Sequence, residues 1–160
     1  MTRAVGIAIT GILSLVHVGS EEPIAAPETI TVQVIPSDTL HDVAVAVWDE
    51  KHPTIYVNPT KMQQFGPLLT EFFLAHEFGH VQYRHTRAFA LSADGADRDA
   101  VNRSHELEAD CFATRNLAAA NREAVLAAVQ FFSQQGQFRF DRDHPSGAQR
   151  AAKILSCLPE

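Results

Sequence analysis

A basic surplus is what this sequence most plainly lacks: 13 Lys and Arg stand against 19 Asp and Glu, a formal net charge of −6. Nucleic acid and anionic lipid both need a cationic stripe to meet their phosphates, so neither is expected as a partner. Cysteine is scarce as well. Cys111 and Cys157 permit one disulfide in an exported chain, with two small buried thiols as the alternative. Repeats, low-complexity tracts and linkers are missing, and the 160 residues, 46% of them apolar, suit one domain around one core. No internal apolar run is long enough to span a bilayer.

The N-terminus differs from the rest. Arg3 precedes a mostly apolar stretch from Ala4 to Val18, followed by the small, acidic, proline-bearing GSEEPIAAPE. That stretch is interrupted by Thr10, Ser14 and His17 and falls short of the roughly 20 residues needed to cross hydrocarbon. Residues 1–26 therefore read as a signal peptide or N-terminal segment, and residues 27–160 as a single domain. The expectation is export, periplasmic or secreted, with no integral span after cleavage; anchoring through the N-terminal segment is the rival.

Periodicity places three short strands ahead of everything helical. TITVQVI (Thr29 to Ile35) alternates with a period of two, and AVAVW (Ala44 to Trp48) and TIYV (Thr54 to Val57) flank DEKHP, a hairpin-like connection. Apolar and histidine positions then recur at spacings of three and four from Leu68 to Tyr83, behind a first-turn Pro67. Residues 86–103, rich in Asp with one Gly, read as a connector with room for a short helical turn. A second helix is expected from about Ser104 to Ala119. A third runs from an Asn121 cap to Phe132, and a last one from a Ser146/Gln149 capping box to about Cys157.

The chemistry is concentrated in HEFGH, residues 76 to 80. On a helix, positions i and i+4 lie about 40° apart and about 6 Å along the axis, so His76 and His80 can point at one cation. Glu77 stands to one side, where a carboxylate can take a proton from a water held by zinc. In NRSHELEAD, Glu106 and Asp110 share a face. Glu106 would complete a His, His, Glu ligand set, and Asp110 would accept the other ring N–H of His76. His105 competes with Glu106 for the ligand role, and a solvated acidic face is the alternative for Glu106, Glu108 and Asp110. His144, ahead of Pro145 and the capped helix, is a candidate for stabilising an oxyanion, with Arg150 available to pair with an acid.

HEFGHVQYRH, NRSHELEAD and HPSGAQR, in that order, resemble the motifs of the gluzincin metallopeptidases of the HtpX and CAAX prenyl protease 1 type. The resemblance covers about residues 54 to 155. It implies His76, His80 and Glu106 as ligands of one zinc, Glu77 as general base, Asp110 as orienter of His76, and His144 near the transition state. The implied fold is α+β and zincin-like: about three strands packed on the active-site helix and about three further helices. The family's edge strand, which pairs with extended substrate, would match TIYVN at 54 to 58. The expected activity is zinc-dependent endopeptidase action on peptides or unfolded protein; the alternative is a catalytically idle zinc-binding or peptide-binding module. A non-peptide hydrolase of the deformylase kind would want a cysteine upstream of HEFGH, and both cysteines lie downstream.

Overall fold

The computed structural model describes residues 30–48, 52–85 and 96–159; the proposed signal segment lies outside them. The architecture is α+β: among the described residues, a three-stranded sheet is followed by four helices. Strands β1 (Gln33–Pro36), β2 (Ala44–Trp48) and β3 (Pro53–Val57) are ordered β1-β3-β2. β2 pairs antiparallel to β3 with Ala46 opposite Ile55, and β1 lies parallel to β3 with Val34 opposite Ile55. The expected hairpin therefore forms. β1 begins later than the alternation of TITVQVI suggests and ends on Pro36, which has no N–H to donate; the ladder is continued by Ser37 N–H to the Val57 carbonyl, 2.8 Å.

One expectation about the sheet is overturned. TIYV is the central strand, bonded on both sides, so it has no free edge for a substrate. Among the described residues the sheet edge near the cleft is β2.

Helix α1 (Pro59–Gln82) begins well before Pro67. Asn58 caps it, accepting from Lys61 N–H at 3.1 Å, and Pro59 occupies the first turn. The helix breaks at Gly66, whose φ of 78° and ψ of 172° suit glycine alone. Pro67 then opens the segment carrying HEFGH, in the first-turn role that the sequence indicates.

Helix α2 (Ala96–Ala120) is longer than expected, extending N-terminally through ADRDAVNR. Alanine and arginine there are helix-compatible. The part of the connector at 86–95 lies outside the described residues. Helix α3 (Arg122–Gln135) follows the Asn121 cap and stops at Gly136, and α4 (Gly147–Cys157) carries the Ser146/Gln149 capping box. None of the described helices is long and apolar enough to cross a membrane.

α1 runs between two apolar clusters, which fixes its rotation. Phe72 packs with Ala113, Leu117, Val125, Phe132 and Ile154 of the other helices, while Val81 joins Ala44, Ala46, Ile55 and Val57 of the sheet. Gly79 sets how close α2 can come: a Cβ there would lie 2.9 Å from Ala109 Cα and 3.1 Å from Phe112 Cβ. The third position of the motif's interior is thus a packing requirement that lets α2 carry its acids up to the histidines.

Cys111 and Cys157 are joined, Cα to Cα 5.4 Å across a sequence separation of 46, tying α2 to α4. A loop of that length confers about 4 kcal/mol on the chain-entropy model. Cys111→Ser/Cys157→Ser should lower the free energy of urea unfolding by up to that amount; an unchanged value would show that the bridge constrains nothing that the packing does not already hold.

Candidate metal centre

Two helices converge on one point. His76 and His80, four residues apart on α1, bring their Nε2 atoms to 3.0 Å from each other, and Glu106 of α2 reaches across with Oε2 3.1 Å from His76 Nε2 and Oε1 3.2 Å from His80 Nε2. All three side chains are largely buried. They form a group of donors able to hold a metal ion.

Donors at about 2.0–2.2 Å from a tetrahedral zinc stand about 3.3–3.6 Å apart. The observed triangle is a few tenths of an ångström tighter, a difference that slight rotation of the imidazoles absorbs. Two nitrogens and a carboxylate oxygen are also the chemistry zinc takes, and both outer ring nitrogens are already hydrogen-bonded. The donor set fits the cation.

Asp110, fully buried, faces His76 Nδ1 at 2.9 Å. Its two oxygens also accept from Arg150, Nε at 2.8 Å and Nη2 at 2.5 Å, and Arg150 lies 4.0 Å over the Phe132 ring. The acid that Arg150 meets is thus the one beside the first histidine. Glu77 lines the same cleft and accepts the Ala46 N–H through Oε2 at 2.6 Å, leaving its second oxygen unengaged by that strand. His144 places Nε2 3.7 Å from Glu106 Oε2. Its Nδ1 is 2.7 Å from Asp141 Oδ1, which also accepts the Asp143 and His144 N–H groups at 2.8 and 2.9 Å.

Of the two neighbouring candidates on α2, the structure turns Glu106 toward α1. His105 stacks instead on His85, centroids 4.1 Å apart and planes 7° apart. Three participants escape a reading of the sequence. His85 contacts His80, Glu108 contacts His85, and Asp141 holds His144. Positions i and i+5 on a helix diverge by about 140°, so periodicity gives no sign of His85. The Asp-x-x-His spacing of 141 and 144 is a usable signal, since Asp caps its own turn.

The cleft is a cavity of about 620 Å³. Val43 to Ala46, at the start of β2, line it together with Phe65, Phe73, Phe131 and Phe132 and the exposed Phe138 and Phe140. Charge inside it is tightly coupled. Burial works against a proton on His76, but the charge of Glu106, with the hydrogen bonds that the ring donates to Asp110 and Glu106, outweighs it and pushes the ring up to about 10. Burial raises Glu77, against the opposing pull of His76 and His80. Burial also resists ionisation of Glu106, yet His76 and His80 hold it well below the usual carboxylate range. Burial, with His105 and His80 alongside, pushes His85 down to about 4, so this ring is neutral at pH 7.

A prediction for chelator-stripped protein follows from His76. Its ring binds a proton up to about pH 10 when folded but only to about 6.5 when unfolded. This group alone thus holds more proton in the folded state between those values, and its contribution to stability is lost as pH rises through that window. Urea unfolding at about pH 6.5, 8 and 9.5 tests this; stability that rises with pH would contradict it.

A family model described as Peptidase U49 matches residues 49–159. No curated protein and no solved structure is similar enough to match.

Proposed function

The chain belongs to the Peptidase U49 family, and from that premise we propose that it is a zinc-dependent endopeptidase holding one zinc ion on His76, His80 and Glu106. The observation that carries the proposal is the meeting of those donors in a cleft that Glu77 also lines. The ligand order, two histidines on one helix and a glutamate on the next, supports the finer likeness to the gluzincins of the HtpX and CAAX prenyl protease 1 type.

When bound, zinc acidifies a water and polarises the scissile carbonyl. Glu77 receives the proton on the oxygen that Ala46 does not engage and delivers it to the departing amine. Asp110 keeps His76 in the tautomer that offers Nε2 to the cation. His144, held by Asp141 through Nδ1 with Nε2 beside Glu106, steadies the developing oxyanion.

An extended peptide would add to the β2 edge, where Val43 to Ala46 line the cleft, through the main-chain groups other than the Ala46 N–H, which Glu77 holds, so main-chain hydrogen bonds would supply affinity irrespective of sequence. The phenylalanines that line the cleft would favour a large apolar residue beside the cleaved bond. Purified protein should contain about one zinc per chain and cut unfolded casein. A chelator should abolish cleavage, and added zinc should restore it. A zinc-loaded chain inert on a broad peptide library would instead identify an idle binding module.

Residues 27–160 as one catalytic domain, and export of the chain, complete the proposal. The disulfide supports an oxidising destination. N-terminal sequencing of protein recovered from the periplasm or medium should begin just after Gly19, Ser20 or Ala26, whereas an intact N-terminus in a membrane fraction would favour anchoring.

A further inference from the structure

The two histidines of the centre are held from behind by different partners. His76 meets a carboxylate, but the only ring contact found behind His80 among the described residues is another histidine: His85 Nδ1, 3.1 Å from His80 Nδ1. Two facing nitrogens of this kind require one proton between them. His80 Nε2 is directed at His76 and Glu106, so if it is to offer a lone pair to a cation, the proton of its neutral ring must sit on Nδ1 and be donated to His85. His85 Nδ1 is then the acceptor, and its own proton must sit on Nε2. That atom lies 3.1 Å from Glu108 Oε2, which can only accept. One arrangement satisfies all three groups: Glu108 accepts from His85, and His85 accepts from His80. The reverse would turn an imidazole lone pair toward the Glu108 carboxylate and a hydrogen toward the other metal-facing donors.

The backbone is shaped to bring His85 there. A continuing helix would carry residue 85 about 140° away from residue 80. Instead α1 ends at Tyr83, and Arg84 adopts φ of 57°, a left-handed conformation that costs a non-glycine residue about 1–2 kcal/mol. The reversal folds His85 back beneath His80. Arg84 lies over the Trp48 ring, 5.7 Å from its centroid, which anchors the turn to β2. The parallel His105 ring fixes the plane of His85, and the side chain is buried, 5% exposed.

We propose that His85, backed by Glu108, is the positioning residue of His80: it selects the Nδ1–H tautomer and the ring orientation that present Nε2 to the cation. This rests on the reading of His80 as a ligand.

Zinc affinity measured by competition with a chromophoric chelator tests it on the full chain. Loss of an outer hydrogen-bond partner of a metal-bound histidine weakens affinity by about 10–100-fold, and His85→Ala should fall in that range. His85→Asn, whose amide oxygen can accept from His80 while its NH2 donates to Glu108, should recover most of it. Long-range 1H–15N correlation on zinc-loaded wild type should show His80 protonated at Nδ1 and His85 at Nε2. Wild-type affinity in His85→Ala, with only its thermal stability lowered, would make His85 a packing residue and overturn the inference alone. Should that variant fail to fold, a wild-type spectrum with the proton of His85 on Nδ1 would overturn it equally. A wild-type chain that takes up no zinc would bring down the ligand reading and this inference with it.

Discussion

Glu77→Gln is expected to retain one zinc per chain and to lower kcat/KM by about 10²–10⁴, the range that a positioned general base supplies. The two side chains have the same shape, and the glutamine oxygen can still accept the Ala46 N–H that Glu77 accepts at 2.6 Å, so the cleft should keep its form. What disappears is the basic site: an amide cannot take the proton from water or return it to the amine. The substitution also removes a carboxyl group whose ionisation burial opposes, so the metal-free variant should unfold at a slightly higher temperature than wild type. Metal analysis, peptide turnover and thermal unfolding read the three effects separately. Full turnover in a zinc-loaded Glu77→Gln would remove Glu77 as the base, whereas loss of zinc along with activity would mean that Glu77 helps to hold the metal.

The parts of this arrangement that can be read from sequence are those set by local periodicity. His76 and His80 four apart, Glu106 and Asp110 four apart, the Ser146/Gln149 capping box and the alternating strands are each fixed by a helix or strand repeat over a few residues. Strand order is not legible: nothing in TIYV distinguishes a strand bonded on one side from the central strand that it is. The early start of α1 is hidden because Gly66 and Pro67 read as a helix boundary, whereas the backbone breaks there between two helical pieces. The extension of α2 is obscured by a composition of Asp and polar residues that marks loops on average but is also tolerated on a solvated helix. His85 illustrates the deeper limit. Its contact with His80 exists only because the helix ends and Arg84 turns left-handed, and residue spacing carries no record of such a reversal.

Asp110→Asn should be the most destabilising single change near the site, costing about 3–5 kcal/mol at pH 7, as breaking a buried ion pair does when one charge is left behind. Asp110 is fully buried and accepts from Arg150 at 2.5 and 2.8 Å while facing His76 Nδ1 at 2.9 Å. The amide keeps one acceptor oxygen but surrenders the charge, and Arg150, only 12% exposed, has little water to replace it. Desolvation opposes ionisation of Asp110, yet Arg150 and His76 hold its pKa below the ordinary value. Its contribution is therefore present above the unfolded pKa of about 3.9 and is lost as pH falls through the lower folded value, so the gap between wild type and variant should narrow under acid. Arg150→Met tells charge from shape. If the cost in Asp110→Asn is the stranded guanidinium, the double variant should be more stable than Asp110→Asn alone, because an apolar side chain over the Phe132 ring needs no counter-charge. Zinc affinity should stay weakened in both, by about 10–100-fold, since neither restores a carboxylate to His76. Urea unfolding that places Asp110→Asn within about 1 kcal/mol of wild type, the scale of an exposed pair, would show that the buried network neither holds α2 to α4 nor sets the first histidine.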